Sequence, residues 1–177
     1  GLLFERFPYL TNAQVRDVLL TTARDLGAPG VDEIYGWGMV DLRKAIEGYG
    51  SLRVDTNVAM NQKAGGIKVW KGDAWDDWTN NISGPGKLTK SGIGWLRLSG
   101  DNTFNGAVLR EGTLELNGSN TLASAVDVQG GHFLLNGSLV STALTTTGGV
   151  STVTASGVLK NSNLQVNGGV VSFNGRQ

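Results

Sequence analysis

Apolar positions in this chain follow two rhythms, and the change falls at Gly48-Tyr49-Gly50. Before that point they recur at helical spacing. Leu2-Leu3-Phe4-Glu5-Arg6-Phe7 reads as the last turns of a helix that Pro8 ends, because proline lacks the N–H needed to continue one. Thr11 and Gln14 then fit a capping box, with Leu10 and Val15 as the hydrophobic staple around it. Val15, Val18, Leu19 and Ala23 fall on one face of the helix this start predicts, with Gly27 as its stop and Pro29 just beyond. A shorter helix is expected from Asp41 through Ile46, with Gly48 at its end, after the tight extended turn Tyr35-Gly36-Trp37-Gly38-Met39-Val40.

After residue 51 the pattern becomes short β-type runs with recurring turn residues. Ala107–Gly118, Ala125–Gly137 and Leu164–Gly175 align, and a degenerate copy lies around Gly148-Gly149. Central glycines fall at 112, 131, 149 and 169, and Asn-Gly pairs at 117, 136 and 174. Asn-Gly between alternating runs also suits an antiparallel hairpin. A meander, however, has no reason to hold one register over four units, whereas stacked coils do. The pattern therefore predicts a mainly β protein, a right-handed parallel β-helix preceded by a helical segment.

Composition sharpens this picture. From Val128 to Gln177 the only Lys, Arg, Asp or Glu residues are Lys160 and Arg176, and Gly, Ser, Thr, Asn and Val fill the space. Too few Leu and Phe remain there for a globular core, which suits a solenoid with ladders of uncharged polar residues. The formal net charge is zero, so nothing electrostatic points to nucleic acid. With no cysteine, disulfides and thiolate-held metals are excluded.

Pro8-Tyr9-Leu10-Thr11-Asn12-Ala13-Gln14-Val15-Arg16, followed by Tyr35-Gly36-Trp37-Gly38-Met39-Val40-Asp41-Leu42 and Ala45, resembles the C-terminal end of a subtilisin-like serine protease domain, an α/β fold. The resemblance implies that residues 1–48 are the incomplete end of such a domain. It implies that the nucleophilic serine lies upstream, about three helical turns before Gly1, with the Asp and His of the triad further upstream still. No catalytic residue is then expected within this chain, and alone it should not cleave peptides. The apolar faces of Leu3, Phe7, Val15, Val18, Leu19, Trp37 and Leu42 are expected to lack their covering sheet, leaving 1–48 the part most open to proteolysis.

Ile82-Ser83-Gly84-Pro85-Gly86-Lys87-Leu88-Thr89-Lys90-Ser91-Gly92-Ile93-Gly94-Trp95-Leu96-Arg97-Leu98-Ser99-Gly100, then Asn102–Gly106 and Glu111-Gly112-Thr113-Leu114, resembles the passenger-associated β-strand repeat of bacterial autotransporters. Trp95 stands where a small residue is commoner. Together the two resemblances imply a secreted or surface-displayed subtilisin-like endopeptidase of a Gram-negative bacterium, exported through the outer membrane. Its partners would be an upstream protease core, a downstream outer-membrane β-barrel and protein substrates. Residues 49–81 are expected as linker and β-helix cap, and residues 82–177 as the passenger β-helix serving as a stalk. A surface adhesin or plain structural spacer is the alternative.

Other constellations carry less. Gly84-Pro85-Gly86-Lys87-Leu88 lacks the Ser or Thr of a phosphate loop. Asp73, Asp76 and Asp77 could offer oxygen ligands to calcium, but their spacing fits no EF-hand, and Trp70, Trp75 and Trp78 around them suggest an aromatic cap instead. His132 reads as a solvated or hydrogen-bonded rung residue rather than a ligand. No cofactor or metal site is expected.

Overall fold

The structure, a computed structural model, describes residues 2–24, 39–61 and 74–177. Among the described residues, three short helices come first: α1 (Leu2–Arg6), α2 (Asn12–Thr22) and α3 (Leu42–Ala45). Strands follow as β1 (Thr56–Ala59), β2 (Trp75–Trp78), β3 (Lys87–Ser91), β4 (Trp95–Leu98), β5 (Gly106–Leu109), β6 (Thr113–Leu116), β7 (Ser119–Asn120) and β8 (Ala125–Val128). The series continues with β9 (His132–Leu135), β10 (Ser138–Val140), β11 (Ala143–Thr146), β12 (Val150–Val153), β13 (Val158–Lys160), β14 (Leu164–Val166) and β15 (Val170–Phe173).

Every pairing between these strands is parallel, which excludes the meander. Two six-stranded sheets, β1-β3-β5-β8-β11-β14 and β2-β4-β6-β9-β12-β15, and a three-stranded sheet β7-β10-β13 wind into a parallel β-solenoid. Equivalent residues recur a coil apart, so Trp95 stacks on Thr113, Thr113 on His132 and His132 on Val150. The interval between Thr56 and its partner Leu88 is longer, and residues 62–73 lie within it. The segment 49–81, expected as linker and cap, thus already contributes strands β1 and β2 to the first coil.

Alternation within each strand turns one set of side chains inward. Leu96, Leu114 and Phe133 form one buried column, and Leu98, Leu116, Leu135 and Val153 the next. Each such side chain contributes roughly 1.5–3 kcal/mol through removal from water. Toward the C-terminus the interior turns polar, where Thr146 and Ser151, both fully buried, share a hydrogen bond of 2.9 Å across the coil. Polar ladders run along the coils as expected, one of them through the buried Asn102 and Asn120. Asn136 Nδ2 donates to Asn117 Oδ1, Thr154 Oγ1 donates to Asn136 Oδ1, and Asn102 Nδ2 donates to Asn120 Oδ1.

The repeating glycines at 112, 131, 149 and 169 all sit at corners with φ between 68° and 74°. There each packs directly against a carbonyl oxygen of the coil before it, as Gly169 does on Gly149 and Gly131 on Gly112.

The helices correct one expectation. Leu3, Phe7, Val15 and Val18, expected to lack a cover, are buried and belong to the same continuous core as the solenoid interior. They share that core with residues of the first coil, while Leu3 and Val15 also line an apolar cleft between the helices. Leu19 is partly buried against that core, Leu42 remains exposed, and Trp37 lies outside the described residues. The capping box forms as expected, with Gln14 N donating to Thr11 Oγ1 and Thr11 N donating to Gln14 Oε1. Gln14 then does a second job: its Nε2 donates to the carbonyl of Asn57 on β1, the edge strand of its sheet. Placing α2 over that edge blocks the end-to-end pairing that open strands invite. Helix α2 stops at Thr22, and the expected stop at Gly27 lies outside the described residues. Asp41 caps α3 through Lys44 N, while Asn80 Nδ2 satisfies the carbonyls of Lys44 and Gly48.

Lys90 is the odd residue of the interior. It occupies a column shared with Val58, Leu109 and Val128, and it is fully buried. Its ammonium turns to the corner and donates to the carbonyls of Ser91 (3.0 Å), Gly92 (2.7 Å) and Glu111 (3.1 Å), tying two coils together. Burial lowers its pKa from 10.5 to about 8, with Glu111 opposing the shift. The folded value lies below the unfolded one, so between those limits the unfolded chain holds the extra proton and stability rises with pH. Between pH 7 and pH 9.5 this group should add about 2 kcal/mol to the free energy of unfolding. Urea titrations at the two pH values should show the gain in the wild type and its loss in Lys90→Met. Tyr9 and Tyr49, both raised mainly by burial, oppose the trend only nearer their ordinary value of 10.

Candidate functional site

The most concentrated chemistry among the described residues lies where the helices meet the first coil. Asp76 in β2 points inward, in the column that continues through Leu96, and its side chain is wholly buried. Arg6, in the last turn of α1, is its partner: Nη1 donates to Asp76 Oδ2 at 2.5 Å, with both side chains at most 1% exposed. The same oxygen accepts from the Tyr9 hydroxyl, and Asp76 Oδ1 accepts from the backbone N–H of Asp77 at 2.7 Å. Arg6 reaches further, Nε donating to the Ile46 carbonyl at 3.0 Å beyond α3, and its guanidinium lies 4.3 Å from the Phe7 ring centre. Trp78 completes the cluster. Its Nε1 donates to Tyr9 at 2.9 Å, and its ring packs 5.2 Å from that of Tyr49. Gly48, with φ of 103°, lies flat on the Trp78 side chain, where a Cβ would come within 2.7 Å of Cγ.

Asp77 points the other way and accepts from Arg97 Nη2 at 2.9 Å and Ser99 Oγ at 2.6 Å. Successive strand residues face opposite sides of a sheet. Asp76 and Asp77 therefore do not converge on one ion, and Asp73 lies outside the described residues. Trp78 joins the aromatic cap that the sequence suggested. Trp75 lies under the Arg97 guanidinium at 4.9 Å, and Trp70 is outside the described residues.

The other candidates resolve as parts of the solenoid. Gly84–Leu88 runs into strand β3 rather than a helix, and Gly86 N donates to the Leu52 carbonyl, so it is a coil corner and not a phosphate cradle. His132 pairs through Nε2 with Thr152 Oγ1 at 3.0 Å on the neighbouring strand, the hydrogen-bonded rung role expected of it. Nothing in the sequence flagged Arg6, because its partner lies 70 positions away and on a strand where alternation asks for an apolar residue.

Between the helices, Leu2, Leu3, Phe4, Val15, Leu19 and Leu42 line an open apolar cleft. Leu2, Phe4 and Leu42 are each about half exposed.

Residues 1–38 match the model of the subtilase family, peptidase S8. Over 114 residues the chain is 39% identical to serotype-specific antigen 1 of Mannheimia haemolytica, which covers 64% of this chain and 11% of that protein. Over 112 residues it is 38% identical to the Neisserial autotransporter lipoprotein NalP of Neisseria meningitidis serogroup B, covering 63% of this chain and 10% of the other. An extracellular serine protease of Serratia marcescens is 35% identical over 132 residues, covering 60% and 13%. The chain thus spans about a tenth of the length of these curated relatives. Its N-terminal segment matches the subtilase model and runs on into a parallel β-solenoid, and the chain is similar to part of an autotransporter and of an extracellular serine protease.

Proposed function

We propose that this chain joins the peptidase domain of a subtilisin-like serine endopeptidase to its autotransporter stalk. One observation carries the reading: a single core runs from Leu3 in the subtilase segment to Leu159 in the solenoid, so the two are built as one body. The apolar cleft of Leu2, Phe4, Leu19 and Leu42 then receives the remainder of the peptidase domain, and the solenoid carries that domain away from the cell. A downstream barrel in the outer membrane of a Gram-negative cell completes export, and the substrates are proteins. Burial supports the division of labour, since Phe7 and Val18 are closed into the shared core while Leu2, Phe4 and Leu42 stay exposed at the cleft.

The test uses the parent polypeptide, expressed with its export apparatus. A serine-directed fluorophosphonate should label it at the cell surface or in the medium, with casein hydrolysis lost on labelling. The 177-residue chain alone should neither label nor hydrolyse casein. A parent that reaches the surface but neither labels nor cleaves would favour an adhesin or spacer instead.

A further inference from the structure

A buried ion pair is poor evidence for stability by itself, because a well-packed apolar pair of similar volume often serves as well or better. What an apolar pair lacks is direction. The column through Asp76 continues as Leu96, Leu114 and Phe133, so the solenoid would accept a leucine here. The carboxylate instead receives hydrogen bonds from α1, from the turn after it and from its own strand, through Arg6, Tyr9 and the Asp77 N–H. Arg6 also donates to the carbonyls of Ile46 and Asp77, at 3.0 Å and 3.4 Å. A planar guanidinium held along its edges by acceptors from α3's end, from Asp76 and from Asp77 permits one orientation of α1 on the first coil, where oily packing alone permits several.

We infer that Arg6 and Asp76 form a registration device, setting the angle at which the chain preceding α1 leaves the solenoid. Asp76, in the stalk, is then a positioning residue for the peptidase domain, a consequence that rests on the function proposed above.

The absence of cysteine allows clean labelling. Spin labels on cysteines replacing exposed Arg16 in α2 and exposed Thr121 after β7 report the orientation as a distance distribution. The wild type should give one narrow distance. Asp76→Asn, which leaves the guanidinium buried without its counter-charge, should broaden it and speed amide exchange over residues 3–22 by about 100-fold. Exchange in β6 and β9 should hold. Arg6→Met combined with Asp76→Leu should recover the thermal midpoint yet keep the broad distribution. A narrow wild-type distribution in the double variant overturns the inference, as does an unchanged Asp76→Asn variant. Should the double variant fail to fold, the single variant decides by the same two readouts.

In the parent protein, Asp76→Asn should lower kcat on a peptide substrate by about 100-fold, the scale of a small misplacement of reacting groups, with KM nearly unchanged. An active wild type whose kcat is indifferent to Asp76→Asn overturns the positioning role. An inactive wild type contradicts the proposed function, and registration is then judged on the label distances alone.

Discussion

Replacing Gly131 by valine should unfold the middle of the solenoid, at a cost of at least about 4 kcal/mol. Two effects add. With φ at 71° the residue occupies the left-handed region, where a β-branched side chain is strongly disfavoured. A Cβ there would also be driven into the Gly112 carbonyl and brought within 3.0 Å of Gly112 N. Relief would require shifting backbone, and Gly149 stacks on Gly131 from the other side. Thr145→Val is the matched control, an outward-facing position on extended β11, where the change should stay within about 1 kcal/mol. Urea midpoints of the two variants measure the difference. Ser141, although exposed, makes a poor control because its own φ is 49°.

Trp78→Ala should cost about 3–5 kcal/mol, the range for emptying a large aromatic site in a packed core. The indole is fully buried, closes the first coil against Tyr49 and Gly48, and gives its N–H to Tyr9. Removing it leaves a cavity where the two halves of the chain meet. Trp95→Ala, on the neighbouring strand of the same sheet, should cost far less, because that ring is 37% exposed and its Nε1 bond to Glu115 lies on the outer face. Thermal unfolding of both variants separates a structural tryptophan from a surface one.

The solenoid was legible because its rules are periodic. Spacing of Gly112, Gly131, Gly149 and Gly169 reveals the corners, since only a glycine tolerates both the positive φ and the carbonyl of the coil beneath. The capping box at Thr11 and Gln14 is likewise a local signal with a local cause. Charged residues inside the core were not legible. Asp76 and Lys90 stand at positions where alternation asks for an apolar side chain, and what rescues each lies far away in sequence or in the main chain. Lys90 falls within the segment that resembles the autotransporter repeat. The structure supplies its physical reason, an ammonium that satisfies the carbonyls at the Gly92 corner. Reading the helices as orphans of a missing sheet overlooked that two faces of a helix can serve two partners. Val18 is buried in the shared core, while Leu2, Phe4 and Leu42 stay exposed.

Joining of the subtilase segment and the solenoid in one core is tested most directly by nuclear Overhauser contacts in the isotope-labelled 177-residue chain. The indole N–H of Trp78 lies against the Tyr9 hydroxyl, so it should show cross-peaks to the Tyr9 ring protons, with α1 and α2 resonances dispersed. A folded solenoid whose Trp78 indole shows no contact with Tyr9, alongside random-coil shifts for residues 2–22, would contradict the account.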